Sequence, residues 1–205
     1  LGDDASPWAA ITRELSTTRT VFAYDRPGYG DSAPAPRGPR NACAVASELR
    51  ATLQAAGLKP PYLLVGHSLG GQYQYAFARL YPEEVAGLVL LDPTHPDHWT
   101  AMQERAAGAA KLISGLRAVL FSSVMRSEFD GQGQCLEQRS PWNATFPVRL
   151  LVRTRFEAAE SGAFQDMVRD LEQDWLALMP GARRVPVQGS GHYMQREKPA
   201  VVARE

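Results

Sequence analysis

The chain has 205 residues, 44% of them hydrophobic and 21% charged, enough for a continuous core in one globular domain. Lys plus Arg and Asp plus Glu both number 22, so no overall basic field draws the chain onto phosphate backbones or anionic lipid, and nucleic-acid and membrane-surface partners are set aside. No apolar run approaches the roughly 18 to 20 residues that span a bilayer, and residues 1–7 carry Asp3 and Asp4 where a signal peptide has a basic start; the compartment stays open, leaning to the cytoplasm, with any signal expected before Leu1.

In chain order, the first short apolar run covers 20–24 and reads as a strand, followed by a Pro-rich loop at 33–39. Val45, Leu49, Leu53 and Ala56 then recur at helical spacing, and Gly57, Pro60 and Pro61 close that helix. A second apolar run, 62–65, leads into Gly66-His67-Ser68-Leu69-Gly70-Gly71 and a helix through Tyr73 and Phe77 that stops at Pro82. A third run follows at 88–91. Residues 93–147 break the rhythm, with helical pieces near 99–110 and 112–125 and a polar, Gly-rich stretch at 130–140; such an insertion is expected to lie over the strand ends as a small lid. The rhythm resumes with a run at 148–152, a helix carrying Phe164, Met167, Val168, Leu171, Trp175 and Leu178, and a last run at 184–187.

These runs are continuously apolar rather than alternating, as strands covered by helices on both faces require. Strand and helix alternate, which predicts an α/β fold with its chemistry at the carboxyl ends of a parallel sheet. Cys43 and Cys135 form no CxxC pair and offer no zinc framework. Two free buried thiols are expected in preference to a bridge.

A serine on a tight strand-to-helix turn must take a strained backbone, with glycines beside it where a β-carbon would collide with neighbouring elements. That turn lifts the Ser68 hydroxyl clear of the sheet. The helix that follows begins with unpaired N–H groups, so the Leu69 amide is a candidate oxyanion donor. A serine hydroxyl is a weak nucleophile until a base takes its proton. His192, in a flexible Gly189-Ser190-Gly191 loop after the last strand, is the best base; His67 is expected to point away from the hydroxyl. His95 and His98 have HxxH spacing but no evident third metal ligand, so they are read as surface or pocket-lining residues.

The elbow, together with Tyr24-Asp25-Arg26-Pro27-Gly28-Tyr29-Gly30-Asp31-Ser32, Tyr81-Pro82-Glu83-Glu84-Val85 and Ser190-Gly191-His192, resembles the α/β-hydrolase fold serine hydrolases, esterase- and lipase-like members included. The resemblance implies a three-layer α/β/α sandwich with a mostly parallel sheet, divided as core 1–92, helical cap 93–147 and core 148–205. It implies a Ser68-His192-acid triad without cofactor or metal, acting on a small-molecule ester, with the oligomeric state left open. In such proteins the acid commonly follows the strand at 148–152, yet here that strand runs into Arg153, and Glu157 is the only acid close by. An aspartate at the end of the preceding strand, Asp92, is the favoured acid, with Glu157 and Asp97 as alternatives. By the same resemblance the chain begins after the family's first strands, leaving a gap in the sheet between the runs at 20–24 and 62–65, and the backbone N–H of Leu1 is the second oxyanion donor. Apolar residues of the insertion, Trp99, Met102, Leu112, Ile113, Leu116, Phe121 and Met125, are candidates for a pocket wall.

Several chemistries share these residues. Carboxylic ester hydrolysis leads; thioesterase, carbon–carbon hydrolase and cofactor-free perhydrolase or haloperoxidase reactions are alternatives, and so is a non-catalytic ligand-binding protein on the same scaffold. A serine at the elbow argues against epoxide hydrolases and haloalkane dehalogenases, which need an aspartate there.

Overall fold

The computed structural model describes residues 2–136 and 142–205. Within them lies a sheet of four parallel strands in sequence order: β1 (Tyr62–His67), β2 (Val85–Leu91), β3 (Val148–Arg153) and β4 (Arg183–Val187). Parallel neighbours need crossover connections. Helix α3 (Leu69–Leu80) joins β1 to β2, and α7 (Ala163–Leu178) joins β3 to β4. Helices α1 (Ala9–Leu15) and α2 (Ala42–Ala55) precede the sheet, while α8 (Met194–Glu197) and α9 (Pro199–Arg204) follow it.

The apolar runs work as doubly covered strands because side chains alternate between faces. Leu88, Leu90, Leu150 and Val152 share a buried cluster with α2, α3 and Trp175 of α7. Val89, Leu91, Leu151 and Val187 share a second cluster with Ile11 of α1, Met194 of α8 and Val202 of α9. The result is the expected α/β/α sandwich. Burying one leucine-sized side chain stabilises by roughly 1.5 to 3 kcal/mol, and Leu88, Leu90, Leu91, Leu150 and Leu151 are all at 0% exposure. The central strands therefore form the least deformable part of the molecule.

One predicted strand is absent. Residues 20–24 take no strand conformation, although Phe22 and Tyr24 stack there with ring centroids 5.4 Å apart. An apolar run becomes a strand only when a neighbour pairs with its backbone, and among the described residues the sheet starts at β1.

Between β2 and β3 the described residues form three helices rather than the two expected: α4 (His98–Arg105), α5 (Ala107–Leu120) and α6 (Ser123–Asp130). Ala106 leaves the helical region with φ −133° and ψ 52°, which splits the first predicted helix. The Ser122 hydroxyl accepts a hydrogen bond from the Met125 amide and starts α6 afresh. Met102, Ala106 and Ala110 pack on Met167 and Leu171 of α7. At the far end, the buried Glu128 accepts hydrogen bonds from Tyr29 Oη at 2.7 Å, Arg26 Nη2 at 3.0 Å and Arg40 Nη2 at 3.0 Å. This pulls α6 onto the chain ahead of α2.

The cysteines correct the sequence reading, because they are neither free nor deeply buried: Cys43 and Cys135 form a disulfide. The first turn of α2 and the turns after α6 bring their Cα atoms to 6.2 Å, inside the bridging range. A bridge across so long a loop stabilises mainly by restricting the unfolded chain. Replacing both cysteines by alanine should lower stability by roughly 2–4 kcal/mol. Thermal melts of wild type with and without reductant, beside the double variant, check this; equal melting temperatures in all three would contradict it.

Candidate active site

Parallel register sets the site. His67 ends β1 opposite Leu91 of β2, and Arg153 ends β3 opposite Val187 of β4. Ser68 and Asp92 each follow directly on a strand end. The Ser68 amide donates to Leu91 O at 3.0 Å and the Asp92 amide to Leu151 O at 2.9 Å. Both residues have left-handed backbones, with φ 53° at Ser68 and φ 41° at Asp92. Non-glycine residues adopt that region at a cost of about 1–3 kcal/mol and only where their surroundings enforce it. At the elbow the enforcement is visible: a β-carbon on Gly66 would meet Gly70 O at 2.5 Å, and one on Gly71 would meet the Pro93 side chain at 2.6 Å. Gly70 departs from the sequence reading, since a β-carbon there meets nothing within 4 Å. Gly66 and Gly71 carry the steric requirement.

Ser68 precedes the first helical residue of α3, so the Leu69 amide has no intrahelical partner and lies beside the serine. Leu1, the expected second oxyanion donor, lies outside the described residues. Thr94, which the sequence reading missed, puts its hydroxyl 3.4 Å from Ser68 Oγ, and its amide donates to Ser68 O at 2.9 Å.

His192 and Asp92 meet directly, with Nδ1 2.5 Å from Oδ2. An ionised carboxylate can only accept, so Nδ1 carries the proton and a neutral imidazole leaves Nε2 bare as an acceptor. Asp92 is 10% exposed and His192 29%. Burial alone would raise the Asp92 pKa; the His192 hydrogen bond, then the charges of His192, Arg153 and His67, outweigh it and hold the carboxyl below its ordinary value.

The loop bearing His192 is pinned rather than flexible. Thr154 and Arg155 amides both donate to Ser190 O, at 3.1 and 3.0 Å. Arg155 Nη1 donates to Gly189 O at 2.9 Å, and the Gly191 amide to Glu197 Oε2 at 2.9 Å. His67 adds a further tie, because its Nε2 lies 2.8 Å from His192 O and its Nδ1 3.0 Å from Gln195 Nε2. A carbonyl accepts and an amide NH₂ donates, so this ring is the neutral Nε2–H tautomer.

The other predicted acids lie elsewhere. The Glu157 side chain is 69% exposed, sits 3.3 Å from Arg155 Nε, and takes part in a capping box with Glu160. Asp97 is 55% exposed, with Oδ2 3.8 Å from His95 Nδ1. Arg153, a second residue the sequence reading missed, lies with Nε 2.8 Å from Asp92 Oδ2 and Nη1 2.7 Å from Glu160 Oε1. A cation at a strand end gives no local signal of its partner.

Ser68, Asp92 and His192 line one cavity of about 370 Å³. Met102, Leu112 and Ile113 line it as expected, and so do His95 and His98. Much of the remaining wall comes from α7, through Phe164, Val168, Leu171 and Trp175, residues that a sequence reading assigns to core. Trp99 and Phe121 pack on Phe129 instead. Among the described residues no three His, Cys, Asp or Glu side chains are grouped as a metal site, and no helix is long and apolar enough to cross a membrane.

The sequence profile of the alpha/beta hydrolase family matches residues 1–205, and the chain belongs to that family. The uncharacterized protein YqjL of Bacillus subtilis (strain 168) is 28% identical over 98% of this chain and 77% of its own length. Seven further curated relatives are spanned over only 13% to 28% of their lengths. Among solved structures, a thermophilic esterase from Thermogutta terrifontis has a TM-score of 0.71 at 22% identity, covering 98% of this chain and 83% of its own. The epoxide hydrolase CorEH has a TM-score of 0.67 at 20% identity, covering 98% and 85%. At such identities the likeness is one of fold.

Burial, followed by the neighbouring His192 charge, pushes the His67 pKa down to about 3, and burial pushes His98 down to about 4. The unfolded chain binds those protons near pH 6.5, so it holds more protons than the folded one below that pH. Stability is then full above about pH 6.5 and falls as pH drops toward 4 and 3. Urea titrations from pH 7 to 4 should show this decline, and His67→Gln should flatten it. An unchanged slope in that variant would assign the decline to other groups.

Proposed function

We propose that this chain is a serine hydrolase that cleaves carboxylic esters of small or medium apolar substrates through an acyl-enzyme. The observation that carries the reading is the Asp92–His192 contact at 2.5 Å, made on the rim where the strained elbow presents Ser68 to the same cavity.

In this reading Ser68 Oγ attacks the ester carbonyl as His192 Nε2 takes its proton. The Oγ–carbon bond forms, and the carbonyl electrons move onto an oxyanion held by the Leu69 amide and, by resemblance, by that of Leu1. When they return, the carbon–alkoxy bond breaks and His192 protonates the leaving alcohol. Water then repeats the sequence on the acyl-enzyme, releasing the acid and restoring Ser68. Asp92 keeps the imidazole in the Nδ1–H tautomer and stabilises the imidazolium that forms twice per turnover. No step calls for a cofactor. Residues 93–147 act as a cap on a core made of 1–92 and 148–205, and the apolar cavity wall supports an apolar acyl or alcohol group. The Cys43–Cys135 bridge supports an oxidising compartment over the cytoplasm.

Ser68→Ala should abolish turnover of a short-chain p-nitrophenyl ester and labelling by a fluorophosphonate probe. Asp92→Asn should keep the fold and lower kcat by about 10⁴-fold, by disturbing the tautomer. Wild-type turnover in Ser68→Ala would remove that residue from the mechanism, and an inactive wild type that labels no faster than the variant would favour a binding role for the site.

A further inference from the structure

Arg153 is charged, follows the apolar Leu150-Leu151-Val152 at the end of β3, and is buried at 8% exposure. A buried guanidinium needs compensation, and here two carboxylates supply it. Its Nε is 2.8 Å from Asp92 Oδ2 and its Nη1 2.7 Å from Glu160 Oε1, while its guanidinium carbon lies 4.8 Å from the centre of the Phe156 ring. Glu160 is itself held, because its other oxygen accepts the Glu157 amide at 3.0 Å. The Nε–H is not aimed along the Asp92 oxygen direction, so this contact is an ion pair and not a hydrogen bond. That distinction matters because Oδ2 is also the oxygen that His192 Nδ1 engages. An aligned arginine would share that oxygen with the imidazole, each donor on its own lone pair. A misaligned one supplies charge and leaves the direction to His192.

We propose that Arg153 is a positioning residue of the candidate triad: through its charge it fixes Asp92 as an anion and sets the pH below which the Asp92–His192 pair takes up a proton, with Glu160 moderating that charge from behind. The proposal rests on the serine-hydrolase reading above. The groups facing the pair are few. His67 comes from the end of β1, its ring centroid 4.5 Å from that of His192. His98 of α4 and His95 ahead of it line the same cavity. Tyr193 follows on the loop, with ring centroids 5.2 Å apart, and Arg155 and Glu197 pair with each other at 3.1 Å beside Gly191. Burial keeps His67 and His98 uncharged near neutral pH. Among the described residues, Arg153 is the permanent cation in direct contact with Asp92.

The signs follow from Coulomb's law. A cation beside the pair disfavours an added proton, so removing Arg153 raises the pH at which the pair protonates. Neutralising Glu160 leaves the cation less compensated and lowers it. A residue that merely filled space would not move the two variants in opposite directions.

The test is the pH profile of kcat/KM for a short-chain p-nitrophenyl ester, read at a wavelength insensitive to nitrophenol ionisation, in wild type, Arg153→Met, Arg153→Lys and Glu160→Gln, with Ser68→Ala as the blank. The acid limb should move up by about one pH unit in Arg153→Met, return part of the way in Arg153→Lys, and move down in Glu160→Gln. Should Arg153→Met fail to fold, the Lys and Gln variants still carry the comparison. An acid limb that stays in place in Glu160→Gln and in whichever Arg153 variants fold, with activity reduced equally at every pH, would overturn the proposal while an inactive Ser68→Ala left the hydrolase reading standing. Activity in Ser68→Ala would overturn both.

Discussion

The parallel ladder is the constraint from which the site's geometry follows. Because β1 to β4 run the same way and pair in sequence order, their carboxyl ends form one rim, and whatever residue follows each strand is delivered there. Ser68 and Asp92 follow β1 and β2 without an intervening residue, each held by a last backbone hydrogen bond to the neighbouring strand. Their left-handed backbones are sustainable because the strand residues packed around them, Leu90, Leu91 and Leu151 among them, are buried and cannot relax. His192 arrives by a longer route, so its position depends on the hydrogen bonds that fasten its loop to the end of β3 and to Glu197. The short Asp92–His192 contact is the product of two rigid strand ends and one tethered loop.

The parts of this arrangement legible in the sequence are those with a local physical cause. Gly66 and Gly71 announce close approach, Ser68 sits where the strand period gives way to the helix period, and the central strands read as largely apolar runs. Other features had no such cause. One partner of Arg153, Asp92, is a carboxylate just past the end of the neighbouring strand, and the register brings the two together. The Cys43–Cys135 bridge depends on how α6 docks, which in turn depends on Glu128 gathering Arg26, Arg40 and Tyr29. The run at 20–24 shows the converse, since apolar character marks a segment fit for a sheet and pairing decides whether it joins one. The α7 residues misled for a related reason: a helical stripe of Phe164, Val168, Leu171 and Trp175 looks the same in sequence whether it faces a core or a cavity.

The electrostatics of the rim reduce to which groups remain charged. Desolvation removes protons from buried histidines and disfavours an isolated buried carboxylate. His67 and His98 accordingly sit neutral, and His67 is free to spend both ring nitrogens on holding His192 O and Gln195. Asp92 resists neutralisation chiefly through the His192 hydrogen bond and charge, to which Arg153 adds. A buried ion pair is weak evidence of stability, since desolvation offsets much of the attraction. The contact at the end of β3 accordingly bears more on the charge state of Asp92 than on stability.

Division of labour follows from the same geometry. The rim groups come from strand ends and a tethered loop, whereas the cavity wall comes from α4, α5 and α7, which pack on one another through Met102, Ala106, Ala110, Met167 and Leu171. Those helices can exchange one apolar residue for another without disturbing the ladder, because volume-conserving swaps in such a cluster cost less than about 1.5 kcal/mol. The fold is shared with both an esterase and an epoxide hydrolase, so the sheet alone does not select a reaction. On the proposed reading, reaction type resides in the rim residues and substrate choice in the helical wall. On the proposed reading, swaps at the apolar wall positions should alter which molecule is held while leaving the Asp92 contacts in place, since His192 and Arg153, which make them, come from outside those helices.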